Sequence, residues 1–274
     1  MARRQGGGTL FDGLWQYLVE VPEGPAYPPL SIAKVEREEA IEAPDPAAIA
    51  AFCMQPMKRI VEPEWIDRLD PESPEAQRSR RELRRMNALM RNFDWFRTRL
   101  AEDTSGSWQG LEIGAGDGAL GAHLFADQKT RRRIEFAGID RIGRPASWPT
   151  SWQWVQEDIL QFQRWKEFPL LIANMVLHHF SEDELVRLGV QIRESCRFLF
   201  ALETARSPLH LAQARVLRTL GALGPVGYHD ASTSIRAGFV GEELPQFLGL
   251  RSSEWRWRIR STFFGAYQFV AERR

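Results

Sequence analysis

The stretch QGLEIGAGDGALGAHL, residues 109–124, concentrates residue types that ligand chemistry needs. An apolar run reaches Glu112, then turns through Gly114, Ala115, Gly116 and Gly118 into a helix pattern. Glycine permits a positive φ and a close approach of backbone to ligand. The helix N-terminus that follows offers free N–H groups and a partial positive charge. Such a turn can hold a dinucleotide pyrophosphate or can be purely structural. The spacing here, however, is G-x-G-x-G rather than G-x-G-x-x-G. The carboxylate of Glu112 would repel a pyrophosphate but suits an ammonium or a sulfonium.

Other polar side chains fall at the ends of apolar runs. FAGIDR ends in Asp140, WVQEDIL in Glu157 and Asp158, and LLIANMVLHHF places Asn174 before His178 and His179. A carboxylate at the tip of a second strand fits a ribose diol. His178, His179 and His229 are the candidate bases for deprotonating a hydroxyl. The pair His229-Asp230 is expected on a loop, where it reads as a turn device or as an acceptor contact. Arg236 could hold an acidic or phenolate acceptor, or be a solvated ion pair, and Glu203 sits with the loops that an acceptor would meet. His123 and His210 fall on helix patterns and read as surface or packing residues. No H-E-x-x-H or Cys spacing occurs, so no metal site is expected. Asp183 and Glu184 read as helix N-terminal charges.

The elements that position these groups alternate strand and helix from residue 108 onward. Strands are predicted over 109–113, 134–139, 152–156, 169–173 and 197–202. Helices are expected through Leu124, after Ser181 with Glu184 as a capping box, and over 208–223. The tail, 255–270, alternates apolar and charged residues across Gly265 and reads as an antiparallel hairpin. This alternation means a parallel sheet wrapped by helices. Trp148, Trp152, Trp154 and Trp165 crowd the second and third strands, as packing for a shortened second helix or as a flat aromatic wall.

Three regions are expected: a Pro/Gly-rich extension, 1–50; a helical cap, 51–104; and the α/β domain, 105–274. In the extension, Phe11, Leu14, Trp15 and Leu18 could form a helical turn or two that dock on the body. In the cap, one helix is expected from Ser73-Pro74 to about Leu100, with Leu83, Met86, Met90 and Phe93 as its apolar stripe. Its arginines surround a single acid, Glu82, and read as a solvated face or as an anionic-partner surface.

With 36 Lys/Arg against 36 Asp/Glu in 274 residues, a globally basic nucleic-acid binder is excluded. Cys53 and Cys196 make no disulfide framework. No apolar run approaches the ~20 residues of a membrane span, and no apolar stretch follows Arg3 and Arg4 as in a secretory leader. A cytoplasmic globular protein is expected.

The glycine motif, the spaced acids and the LHH together resemble the class I S-adenosylmethionine-dependent methyltransferases, over residues 108–274. The resemblance implies a Rossmann-like, seven-stranded, mostly parallel sheet of order 3-2-1-4-5-7-6, with the terminal hairpin as strands six and seven. It implies S-adenosylmethionine as cofactor. Glu112 and the Gly114–Ala115–Gly116 backbone would hold its methionine moiety and Asp140 its ribose. Asp158 and Ile159 would face its adenine, and the Asn174 carbonyl would close the methionine end. The segments SRRELRRMN (79–87), LIANMVLHHF (171–180), LETARSPLHLAQARVL (202–217) and HDASTSIRAGFVGEEL (229–244) look like bacterial small-molecule methyltransferases associated with type III polyketide synthases. Relatives of that group act in quinone biosynthesis. This narrower likeness implies O-methylation of a phenolic or similar small-molecule acceptor. The long Pro-rich N-terminus departs from the pattern. A nucleic-acid or protein methyltransferase is the alternative, weakened because NMVL stands where amino-methylating enzymes carry Asn/Asp-Pro-Pro-Tyr/Phe. A non-catalytic binding protein of the same fold is a further one, weakened by the intact acids.

Overall fold

Each short apolar run from residue 108 onward is a strand. They are β1 (Trp108–Ile113), β2 (Ile134–Asp140), β3 (Gln153–Gln156), β4 (Leu170–Asn174), β5 (Phe198–Thr204), β6 (Trp255–Ser261) and β7 (Ala266–Arg273). They form one sheet of order β3-β2-β1-β4-β5-β7-β6. The pairings among β1 to β5 are parallel, and β7 runs antiparallel to both β5 and β6. This is the expected architecture. The computed structural model describes residues 57–70 and 72–274. The predicted extension and its Phe11, Leu14, Trp15 and Leu18 stripe lie outside the described residues.

The central strands β4 and β5 are apolar nearly throughout because both faces are covered, as in parallel sheets generally, whereas the edge strands β3 and β6 are polar in part and half exposed. Successive residues alternate between the two faces. Leu111, Leu171 and Leu199 pack on one side with Leu185, Leu188 and Ile192 of α5 (Glu182–Ser195). Ile172, Phe136 and Phe200 pack on the other with Phe96 and Leu100 of α2 (Asn92–Asp103) and Leu120 of α3 (Ala119–Ala126). The Ser181–Glu184 capping box that starts α5 is present as expected. Residues 141–152, between β2 and β3, run as loop and turns, and buried Trp148 and Trp152 fill that layer. Trp148 sits where a Cβ on Gly121 would come within 2.1 Å of its ring. The tryptophans thus serve packing.

The first helical region departs from expectation in three ways. Residues 57–65 form neither a strand nor the expected helix. The predicted single helix is broken at Arg91, in left-handed backbone (φ 53°), into α1 (Pro74–Met90) and α2. The face of α1 that buries is Ala76, Ser79 and Glu82, while Leu83 stays exposed. The reason is Glu82. Its carboxylate accepts the Gly224 N–H at 3.0 Å and bonds Arg78 at 2.7 Å. It thereby caps α7 (Pro225–Ala237), whose N-cap residue is Gly224, and an acid is favoured at a helix N-terminus. This polar clamp turns Leu83 outward, while Met90 and Phe93 of the expected stripe still pack against the core. Two short helices, α4 (Gln128–Arg131) and α8 (Glu243–Phe247), and α6 (Pro208–Thr219) complete the wrapping.

Candidate active site

The carboxyl ends of β1, β2 and β4 and the loop after β3 bring the first set of polar groups together. Gly114, Gly116 and Gly118 all have positive φ (62°, 53° and 72°), which only glycine adopts freely. A Cβ on Gly114 would lie 2.3 Å from Val176 of the loop after β4, whereas above Gly116 only a backbone oxygen at 3.9 Å stands near. The backbone N–H of Gly116 donates to Asp140 Oδ2 at 2.8 Å, and Ile142 N–H donates to Oδ1 at 3.1 Å. Asp140 therefore ties the glycine turn to the tip of β2. Asp158 Oδ1 accepts the Leu160 N–H at 2.9 Å, and its Oδ2 meets Arg141 at 2.8 Å. Ile159, beside it, is buried.

Glu112 is the unusual member. It is buried at the end of β1, and its Oε2 has no hydrogen-bond partner. Burial, then repulsion from Asp117 and Asp140, pushes its carboxyl well above the ordinary carboxylate range. Asn174, at the end of neighbouring β4, also has a buried Oδ1 without a partner. Buried acceptors are normally satisfied. Two orphan acceptors on adjacent strand ends therefore suit a cationic hydrogen-bond donor such as an ammonium.

The loop after β4 carries the second set. Met175 takes left-handed backbone, φ 55°, rare for a residue with a side chain. Behind the loop stands Glu203 of β5, fully buried. Its Oε1 accepts Val176 and Leu177 N–H at 3.1 and 2.8 Å. Its Oε2 accepts the His178 N–H at 3.3 Å and meets His178 Nδ1 at 2.7 Å. On the other side of the ring, His178 Nε2 lies 3.7 Å from Glu64 Oε1. Burial alone would lower the pKa of His178. The hydrogen bond to Glu203 and the nearby carboxylate of Glu64 outweigh it and hold the imidazole up at about 9. His179, next in the chain, is exposed. The surrounding protein and then the His178 charge lower its pKa.

With this geometry in hand, known structures can be compared. No protein-family model matches the chain, and no curated protein matches it. Solved structures do. The plantazolicin methyltransferase BamL, in complex with a triazolic desmethylPZN analog and SAH, superposes with a TM-score of 0.56 at 12% identity, over 74% of this chain and 91% of that one. The plantazolicin methyltransferase BpumL, with a monoazolic analog and SAH, gives 0.54 at 11% identity, over 73% and 90%. The pyocyanin biosynthetic protein PhzM gives 0.52 at 18% identity, over 74% of this chain and 60% of that one. The fold is one shared with methyltransferases.

Within this fold, several predicted acceptor-side residues take places other than those expected. His229 and Asp230 lie on helix α7, not on a loop. The His229 ring stacks on Trp65 at 3.8 Å and bonds Asp230 at 3.0 Å, and Asp230 accepts the Trp65 and Ile66 N–H groups at 2.7 and 3.1 Å. The pair is an anchor for the chain at 65–66. Glu203, expected at the acceptor, is fully buried and committed to the loop after β4. Its role is to position that loop. Arg236 is exposed on α7, and its carbonyl accepts the Ile60 N–H at 3.1 Å.

The segment 57–68, irregular up to a single 3-10 turn at Ile66–Arg68, is what sequence reasoning missed. Arg59 donates to the carbonyls of Ala237 (2.8 Å), His178 (3.2 Å) and Phe180 (2.8 Å). Arg206 donates to Met57 O at 2.8 Å, and Ser234 Oγ bonds Glu64. The strap thus joins the loop after β4 to α7 and brings Glu64 to His178. At its far end, burial and then repulsion from Glu64, Asp230 and Asp140 raise the pKa of Asp67, against the attraction of Arg141. No local motif announces the segment, because its partners are as far as 178 positions away along the chain.

Proposed function

We propose that the protein is an S-adenosylmethionine-dependent methyltransferase whose acceptor is a hydroxylated small molecule, most simply a phenol of polyketide type. The observation that carries the reading is the orphaned, buried carboxyl of Glu112 at the end of β1, beside the open backbone of Gly116. Glu112 and Asn174 would accept from the methionine ammonium and Gly114 to Gly116 would line its carboxylate side. Asp140 would exchange its bond to Gly116 for the ribose hydroxyls, with Asp158 and Ile159 at the adenine. The cofactor supplies a methyl group already activated on a sulfonium, so the protein must mainly bind, align and exclude water. The matching solved structures that contain SAH support this fold-level reading.

The acceptor would enter between the strap 57–68, α7 and the loop after β4. The segments that carry the narrower sequence likeness meet there. Glu203 holds His178, and Thr204 Oγ1 donates to Ser234 O at 2.6 Å. Arg84 of α1 lies 3.7 Å from Asp117 of the glycine turn, consistent with residues 73–100 as a cap at the mouth of the site. A phenol with pKa ~10 is ionised in only about one part in a thousand at pH 7, so proton removal by His179, whose imidazole is held low while His178 keeps its proton, would raise the rate. His229, stacked under Trp65, is left a positioning role.

The test is calorimetric titration with S-adenosylmethionine and SAH, followed by a turnover screen over phenols, resorcinols, quinones and RNA. Saturable cofactor binding with turnover of a phenol supports the reading. Absence of binding ends it. Turnover of RNA alone, with strong salt dependence, would replace the acceptor class.

A further inference from the structure

Glu64, His178 and His179 form a group that no part of the cofactor reading uses. One ligand atom from each lies within 4.8 Å of the others. His178 is buried, with a side-chain exposure of 3%, and its Nε2 has no hydrogen-bond partner. That nitrogen points toward Glu64, 3.7 Å away. Its other nitrogen, Nδ1, is held by Glu203 at 2.7 Å. The ring is thereby oriented with one nitrogen bound to a carboxylate and the other facing the Glu64 carboxylate, while the His179 ring lies beside it at 4.2 Å. This is the outer-shell arrangement that orients histidines on metals.

We propose that Glu64, His178 and His179 bind one divalent transition-metal ion of the zinc type. Two imidazole nitrogens and one carboxylate oxygen are the donors such ions take. Mg2+ and Ca2+ favour all-oxygen sets. Bonds of about 2.0–2.1 Å to a tetrahedral ion place two ligand atoms roughly 3.3 Å apart, so the 3.7 Å pair must close by tenths of an ångström and the widest pair, within 4.8 Å, by up to about 1.5 Å, through rotation of the exposed His179 side chain. The ion would take the place of the proton on His178 Nε2 and leave Nδ1–H on Glu203. Three protein ligands leave one position open, the pattern of catalytic rather than structural sites. His179 is exposed, so the open position is reachable from solvent. Its natural occupant is water or, on the functional reading above, the acceptor hydroxyl. An oxygen bound to such an ion loses its proton to solvent near neutral pH and would attack as the oxyanion. The methyl carbon–sulfur bond then breaks with its electron pair going to sulfur. Only this last role rests on the methyltransferase reading; ion binding does not.

The full-length protein, stripped with chelator, would be titrated with Zn2+ alone by calorimetry, and the Co2+-loaded protein read by its visible absorption. One equivalent of Zn2+ and a cobalt spectrum with a nitrogen-ligand signature are expected. Glu64→Gln and His179→Ala should each lose that equivalent while circular dichroism stays unchanged. Glu203→Gln, which alters only the outer shell, should weaken Zn2+ by about 10- to 100-fold. No saturable Zn2+ binding, or binding indifferent to Glu64→Gln and His179→Ala, overturns the proposal, as does binding of Mg2+ in preference to Zn2+. SAH titrated into the same samples separates the two readings. Zn2+ without SAH binding sinks the methyltransferase reading alone, and SAH without Zn2+ binding sinks the metal site alone.

Discussion

The two halves of the candidate site are built on different principles. The donor half, from Glu112 through Asn174, uses backbone turns and single side chains at consecutive strand ends, so its parts are close in sequence. The acceptor half is a set of clamps between distant segments. Glu203 holds the loop after β4, Glu82 holds α7, and Arg59, Arg206 and Asp230 hold the strap. The donor half leaves acceptors orphaned at Glu112 and Asn174, whereas Glu203 of the acceptor half is saturated with N–H donors. A half with orphaned acceptors is completed by a ligand. The Glu203 cluster is a scaffold whose geometry is set before any ligand arrives, while His178 Nε2 beside it is left open.

The largest effect expected from this contrast is at Glu203. Glu203→Ala would leave three backbone N–H groups and the His178 imidazole without their acceptor inside the protein. Removing one partner of a buried charged pair typically costs about 3–5 kcal/mol. Urea unfolding should show a loss of that size. A loss under about 1 kcal/mol would mean that water reaches the loop after β4, and the two halves would then not differ in kind.

That contrast also explains what the sequence made legible. The seven strands, the Ser181 capping box and the polar strand ends were readable because each depends on local pattern: two-faced apolar runs, a cap three residues from its partner, glycines at a turn. His229-Asp230 was misplaced on a loop because local turn chemistry favours it there, while the Glu82 cap on Gly224 sustains a helix through it. Of the expected apolar stripe, Met90 and Phe93 pack against the core, and only Leu83 turns outward. Glu64 left no trace, since its meaning comes only from His178, Ser234 and the path of the strap.

On the donor side, Asp140→Ala should weaken S-adenosylmethionine by about 1.5–3 kcal/mol, the range for a hydrogen bond to a charged group, with no comparable loss of fold stability. Unchanged calorimetric affinity would remove Asp140 from the ribose. Glu112→Gln gives the complementary signature. The folded-state pKa of Glu112 is raised by burial and by Asp117 and Asp140, so the folded chain binds this proton more tightly than the unfolded one. Its stabilising effect is complete below the ordinary carboxylate range and is lost as pH rises toward the raised folded value. Glu112→Gln removes that loss. The variant without ligand should melt higher than the parent at neutral pH and match it more closely in acid, while binding cofactor more weakly. A variant that melts lower at neutral pH would show that Glu112 already has a partner in the free protein.

The smallest effect should be at the strap. Asp230 accepts two backbone N–H groups, from Trp65 and Ile66, and also bonds His229. Asp230→Ala frees that anchor, but Arg59, Arg206 and the Ile60–Arg236 backbone bond still hold 57–60. The lost interaction resembles a helix cap, worth about 1 kcal/mol. It should therefore appear locally rather than in the global melt. Hydrogen exchange should speed by roughly fivefold at Trp65 and Ile66 for a local cost of that size, with the strands unchanged. If exchange instead quickens across β4 and β5 as well, the strap is part of the scaffold that Glu203 holds. The acceptor half would then be one cooperative unit rather than a fixed loop with a separately tied cover.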